Sequence, residues 1–385
     1  MQKRRLLMSE NNTPILTAMC FSDVHNCFSM LEPPYHFRKT ATRAIDHLLK
    51  TKGQVDVVLV GGDLITDYPH YDQSGWWPYE YYLGYKDLTV RTFAPLAKGG
   101  KVTYIAGNHD FGNAELSKDG PGIGGSYNPY DFYFTGPMKD TLGELSENDM
   151  FAVKCQHNGE MYLLAYHYEV NGVHLVGLSP DPDKVWNNQI YGFNDECLEW
   201  LDKRLKEIDP DGKEVILFSC HYHLARRVSG RLATRGQADK DLIPILKSHK
   251  NLFHLFGHVH TRFQDFSVNC TSEIVVHYDK DGVPINTDIA DESYGNFEGR
   301  GFSTVYMGNF RTDFDKELFE DDTIEGYGGF DHKVSIRTTA TPKVAQGTYI
   351  TVYEDRVEFQ SMNFGTYEGY TMNDIVKPYT VYRNK

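Results

Sequence analysis

The sequence predicts an α/β fold built in layers. Three observations carry that prediction. Runs of strand length that are apolar but for a single polar residue recur at residues 15–21, 55–60, 102–106, 215–220 and 252–256. Runs without polar alternation are the pattern of strands buried on both faces. Apolar residues at helical spacing lie between several of these runs, and strand–helix alternation implies a largely parallel sheet. Finally, each run is followed within three residues by Asp, Asn or His. Loops at the carboxyl ends of strands are where α/β proteins hold their chemistry.

Taken in order, the first run delivers Ser22-Asp23-Val24-His25. Ala41, Ala44, Ile45, Leu48 and Leu49 then fall at helical spacing and predict a helix. The strand at 55–60 leads to Gly61-Gly62-Asp63. Residues 68–85 are rich in Tyr and Trp and read as a loop or lid that runs into a helix near residues 86–98. The strand at 102–106 stops at Gly107-Asn108-His109-Asp110. Residues 119–136, rich in Gly, Pro and Tyr, read as an irregular excursion.

Residues 162–168 and 173–178 pair as strands about Asn171-Gly172, a favoured two-residue hairpin turn. Leu198, Leu201, Leu205 and Ile208 mark an amphipathic helix capped by Asn194 or Asp195. The strand at 215–220 reaches His221-Tyr222-His223, and Leu242, Ile245 and Leu246 mark another helix. The run at 252–256 ends at Gly257-His258-Val259-His260. Residues 264–345 mix short β-like runs, acidic clusters and Gly, with no strand–helix alternation. Residues 348–353 and 356–359 alternate as a hairpin about Glu354-Asp355. The chain thus divides into a core over 1–265 with an aromatic insertion near 68–85, an inserted or accessory region over 266–345, and a C-terminal hairpin, 346–385, that completes the core sheet.

Charge narrows the function classes. The 385 residues carry 53 Asp and Glu against 39 Lys and Arg, a net charge of −14. Duplex nucleic acid and anionic membranes need a basic face, so neither is expected as a partner. An anionic substrate would need local positive charge of the kind bound metal ions supply. No apolar stretch reaches the roughly 18–20 residues of a membrane span. The basic start, Met1 to Met8, runs straight into Ser9-Glu10-Asn11-Asn12 without a signal-peptide core. Cys20 sits in a faint lipid-attachment pattern that reads better as a strand end. The six cysteines form no Cys-x-x-Cys pair and no scaffold spacing, which implies a reducing, cytoplasmic compartment.

Each strand-end motif alone could be a turn in which Asp and Asn side chains bond the backbone. Jointly that reading fails, because no structural need repeats metal-ligand residues at five strand ends. Imidazole with carboxylate suits zinc, iron or manganese. Seven ligands exceed one tetrahedral site but suit two ions that share a bridging carboxylate.

In order, Asp23-x-His25, Gly62-Asp63, Gly107-Asn108-His109-Asp110, His221 and Gly257-His258-x-His260 resemble the calcineurin-like metallophosphoesterases over about residues 15–262. The resemblance implies a four-layer αββα sandwich and two metal ions of manganese, iron or zinc type. It implies that Asp23, His25 and His260 bind one ion, that Asn108, His221 and His258 bind the other, and that Asp63 bridges them. A metal-bound hydroxide would then attack in line. His109 would contact the phosphoryl oxygen or protonate the leaving alkoxide.

Departures from the family pattern sharpen the expectation. The purple acid branch has Tyr three residues after the bridging Asp, where this chain has Thr66. The protein phosphatase branch has Asp-Arg-Gly there, where this chain has Thr66-Asp67-Tyr68. Asp67 and Asp110 remain candidates for orienting roles. Many members have Pro two residues after the fourth-motif His, where this chain has His223, so His221 and His223 compete as ligand; the position nearer the strand end favours His221. What remains is most similar to the small-molecule branch with class III cyclic nucleotide phosphodiesterases and glycerophosphodiesterases. The expected substrate is a small phosphodiester. The alternatives are a nucleotidase-like phosphomonoesterase and, ranked lower, a non-catalytic scaffold on the same fold.

Overall fold

The structure is a computed structural model that describes residues 13–24, 33–64, 91–111, 143, 145–156, 161–186, 192–224, 227–228, 231–232, 237–258, 302–308, 310, 345–364 and 379–383. Two six-stranded sheets face each other. The first contains β1 (Leu16–Phe21), β2 (Val57–Val60), β3 (Val102–Tyr104), β12 (Gln346–Val352), β13 (Arg356–Asn363) and β14 (Tyr379–Tyr382), in the order β14-β13-β12-β1-β2-β3. The second contains β4 (Met150–Lys154), β5 (Met161–Val170), β6 (Val173–Leu178), β7 (Ile216–Cys220), β10 (Leu252–Phe256) and β11 (Ser303–Tyr306), in the order β11-β10-β7-β6-β5-β4. A short ladder joins β8 (Arg227–Val228) to β9 (Arg231–Leu232).

The apolar runs became parallel strands, with β1, β2, β7 and β10 inside their sheets and β3 at an edge of the described sheet. β1 pairs with β2 and β2 with β3, all parallel, while β6, β7, β10 and β11 form the parallel block of the second sheet. Between the sheets pack Leu16, Ala18, Cys20, Val57 and Leu59 from one side and Leu175, Leu217, Phe253, Leu255 and Val305 from the other. The opposite faces take the helices. Ala41, Ala44, Ile45 and Leu48 of α1 (Pro33–Thr51) close over Met19, Val58 and Val60. The short α2 (Pro182–Trp186) follows β6. Cys197, Leu201 and Leu205 of α3 (Asp195–Ile208) and Leu242 and Leu246 of α4 (Gln237–Leu246) close over Ile216, Phe218 and Cys220. The expected αββα order therefore stands. Leu49, counted on the apolar stripe of α1, is exposed instead.

Local chemistry explains the element ends. Asn194, not Asp195, caps α3, accepting from the Cys197 amide at 3.1 Å. Asn171 and Gly172 both take positive φ, 52° and 77°, as a two-residue hairpin turn demands. Residues 91–93 are helical and continue as 3-10 turns to Gly100. The hairpin of β12 and β13 pairs antiparallel and docks on β1. Ser303–Tyr306, inside the region read as lacking alternation, is a strand parallel to β10. The aromatic stretch at 68–85, the excursion at 119–136 and most of 264–345 lie outside the described residues. No described helix is long and apolar enough to cross a membrane.

Candidate metal centre

The parallel strands of both sheets end at one seam. Asp23 follows β1, and its amide bonds Gly62 O at 3.1 Å, next to β2. Gly257, after β10, bonds His221 O, after β7, at 3.0 Å. The two sheets are tied where the His258 amide meets both oxygens of the Asp23 carboxylate, at 2.9 and 3.0 Å. Asp23, Asp63 and His221 are fully buried. Backbone conformation marks an overlapping set of positions. Asp23, Asp63 and His258 have φ of 51°, 50° and 70°. A left-handed conformation at a residue with a Cβ costs about 1–2 kcal/mol and persists where surrounding contacts demand it.

Glycine permits the close approach that the seam needs. A Cβ on Gly107 would overlap the Asp63 carboxylate and lie 2.6 Å from the Asp63 amide. One on Gly257 would overlap Ser22 Oγ and lie 2.6 Å from Asp23 Oδ2.

Asp63, His221 and His258 each offer a ligand atom, and these lie within 4.8 Å of one another. His221 Nδ1 donates to Gly61 O at 2.7 Å. That bond fixes the tautomer and turns the Nε2 lone pair toward the carboxylate. Nε2 stands 3.0 Å from Asp63 Oδ2, yet off hydrogen-bond alignment. A lone pair facing an anion at that distance needs a cation between them. In the metal-free chain the proton is that cation. Burial opposes charge on His221, but Asp63, Asp23 and the Gly61 carbonyl outweigh it and push the imidazole up to about 9. Asn108 Oδ1 is buried without a hydrogen-bond partner among the described residues. An orphaned amide oxygen and an imidazole lone pair beside a buried carboxylate fit a divalent cation.

The structure also separates His221 from His223. His223 stacks on His258, with centroids 5.9 Å apart at 17°. Burial and the neighbouring His221 lower its pKa to about 4. Of the two, His221 is the one with a ring nitrogen against the Asp63 carboxylate. Tyr222, between them, meets His258 edge-on at 5.3 Å.

Asp110 has a definite target that its sequence position did not reveal. Its Oδ1 accepts from the Leu64 amide at 3.0 Å and its Oδ2 from the Gly107 amide at 2.8 Å. One carboxylate therefore clamps the turn that carries Asp63 to the turn that carries Asn108. Ser22 was not singled out in the sequence, although a small hydroxyl beside Asp23 at a strand end was a signal. Its hydroxyl donates to Gly61 O at 3.0 Å. His109 lies in the 3-10 turn Asn108–Phe111, with its side chain outside the described residues. His25, His260 and Asp67 also lie outside them.

His254 is a further buried histidine, in the strand that leads to His258. It sits in β10 as a fully buried residue, yet neither ring nitrogen has a hydrogen-bond partner among the described residues. Its ring is held by aromatic contacts with Phe218, Phe256 and Phe302.

The model of the calcineurin-like phosphoesterase family matches residues 16–262. No curated protein matches the chain. Among solved structures, a predicted phosphoesterase from Streptococcus pneumoniae TIGR4 is similar at 10% identity and a TM-score of 0.29, covering 96% of this chain and 98% of that one. A single mutant of Vps29 from Entamoeba histolytica is similar at 9% identity and a TM-score of 0.31, covering 96% and 100%. The family match runs from the first strand to just past the last histidine motif, and across that span the chain is a member of the calcineurin-like phosphoesterases, metal-dependent hydrolases of phosphate esters.

Proposed function

We propose that the chain hydrolyses a small phosphodiester by in-line attack at a dinuclear metal centre. The observation that carries the metal reading is the face-to-face approach of His221 Nε2 and Asp63 Oδ2, 3.0 Å apart in a fully buried seam. Asp63 is the bridging carboxylate of this proposal. Asn108, His221 and His258 hold one ion, and Asp23, His25 and His260 the other. When bound, the ions supply an activated water and offset charge on the phosphoryl oxygens.

The residues themselves do the positioning. The Gly61 carbonyl holds the Nδ1 proton of His221, leaving Nε2 for the cation. The bidentate contact of Asp23 with the His258 amide fixes one sheet's ligand against the other's. Asp110 sets the distance between the Asp63 and Asn108 turns. His109, next to Asn108, donates a proton to the leaving alkoxide. Preference for a diester rests on the departures at Thr66 and at Thr66-Asp67-Tyr68. The buried free thiols of Cys20, Cys155, Cys197 and Cys220 support a reducing, cytoplasmic setting.

Hydrolysis of bis(p-nitrophenyl) phosphate beside p-nitrophenyl phosphate, with Mn²⁺ and with a chelator, tests the reading. Faster turnover of the diester, abolished by the chelator, is the expected result. Turnover of the monoester alone replaces it with a phosphomonoesterase. Failure on both with metal bound removes the proposed reaction.

A further inference from the structure

We infer that Ser22 is a positioning residue for the metal centre, acting through a carbonyl it shares with His221. The inference rests on the metal reading proposed above. A backbone carbonyl has two lone pairs. Gly61 O spends both, one on the His221 Nδ1 proton at 2.7 Å and one on the Ser22 hydroxyl at 3.0 Å. A carbonyl bonded on both sides cannot swing, so the direction of the His221 ring is set from the far side of the seam. The line of contacts runs from Ser22 Oγ through Gly61 O and the imidazole to Asp63 Oδ2.

Ser22 is fully buried. Its Oγ fills the place a side chain on Gly257 would need, and it lies 3.0 Å from where a Cβ on Gly61 would fall. Met307 Sδ, beyond the end of β11, crowds that same Gly61 position. The backbone of Ser22 is pinned as well, because its carbonyl accepts from the Phe310 amide at 2.9 Å. Four chain segments, those after β1, β2, β10 and β11, thus meet around one oxygen atom. Partners beyond a ligand's own shell commonly change metal affinity by about 10–100-fold when removed.

The test is Mn²⁺ affinity of the full chain, measured by titration, for Ser22→Ala beside Thr348→Val. Thr348 makes a comparable buried hydroxyl bond, to Tyr306 O at 2.8 Å, and serves as the structural control. Ser22→Ala is expected to weaken Mn²⁺ binding about 10-fold and to shift the His221 Nδ1 proton resonance of the metal-free chain. Thr348→Val should lower the melting temperature and leave both readouts in place. Equal Mn²⁺ affinity for Ser22→Ala and the unaltered chain overturns the inference, as does an equal loss in Thr348→Val.

If Ser22→Ala does not fold, the unaltered chain loaded with Zn²⁺ decides by nuclear magnetic resonance. A His221 ring protonated at Nδ1 and a slowly exchanging Ser22 hydroxyl support the shared carbonyl. A proton on Nε2, or a hydroxyl exchanging at the solvent rate, overturns it. An unaltered chain that binds neither ion removes the metal centre and this inference together.

Discussion

Replacing Asp110 by Asn changes one oxygen to an amide and leaves the shape of the side chain intact. In the native turn the carboxylate receives two buried amide protons, from Leu64 at 3.0 Å and from Gly107 at 2.8 Å. Asn keeps one acceptor and points an N–H group at the other amide. One bond to a charged acceptor, worth about 1.5–3 kcal/mol, is lost, and one buried N–H is left unmet. With partial relaxation the expected destabilisation is about 2–4 kcal/mol, or roughly 2.5–5 °C in melting temperature for a chain of this size. The two turns would also part where Gly107 lies against the Asp63 carboxylate. Mn²⁺ affinity should therefore fall about 10–100-fold. Calorimetric melting of the metal-free chain and Mn²⁺ titration measure the two effects separately. A variant that melts within a degree of the original and binds Mn²⁺ equally would refute the clamp.

Three further outcomes follow from the same geometry. His109→Ala should leave metal content unchanged and slow an alkyl phosphodiester by about 10²–10⁴-fold, with a smaller effect on a p-nitrophenyl leaving group; equal losses on both substrates would remove its role as acid. Asp63→Asn should lose bound metal, and in the metal-free chain the His221 pKa should drop from about 9 toward its ordinary value, as followed by imidazole resonances. Burial, then His223, holds His254 down at about 3, so the fold favours its neutral form. That contribution is fully present above pH ~6.5 and is lost as pH falls toward 3, by at most about 1.4 kcal/mol per pH unit. His254→Phe, which keeps a ring against Phe218 and Phe256, should flatten the urea-midpoint profile between pH 6.5 and 4. Parallel profiles for the two chains would show that His254 does not carry that acid sensitivity.

What the sequence made legible was whatever is encoded locally. The strands at 15–21, 55–60, 215–220 and 252–256 announce themselves because burial on both faces leaves only one polar residue in each short run. The turn at Asn171-Gly172 is legible because few residue pairs accept positive φ twice. Ser303–Tyr306 is not legible, because four residues between glycines become a strand only through pairing with β10. β4 is half-buried at a sheet edge and shows no clean alternation. At the site, the strand-end positions of the candidate residues were readable. The clamp by Asp110 was not, since it joins Leu64 to a residue 46 positions away. That His221 is the ring beside Asp63 was likewise not written in the local sequence, because the two residues are 158 positions apart.

Because Asp23 belongs to one sheet and the His258 amide that it grips belongs to the other, the site works as a caliper across the sandwich. A slip of the two sheets by a fraction of an ångström would open its jaws before it disturbed either apolar layer. A cation gripped there would resist that slip from both sides. Ligand occupancy then reports the alignment of the two halves, and cargo and architecture become a single equilibrium.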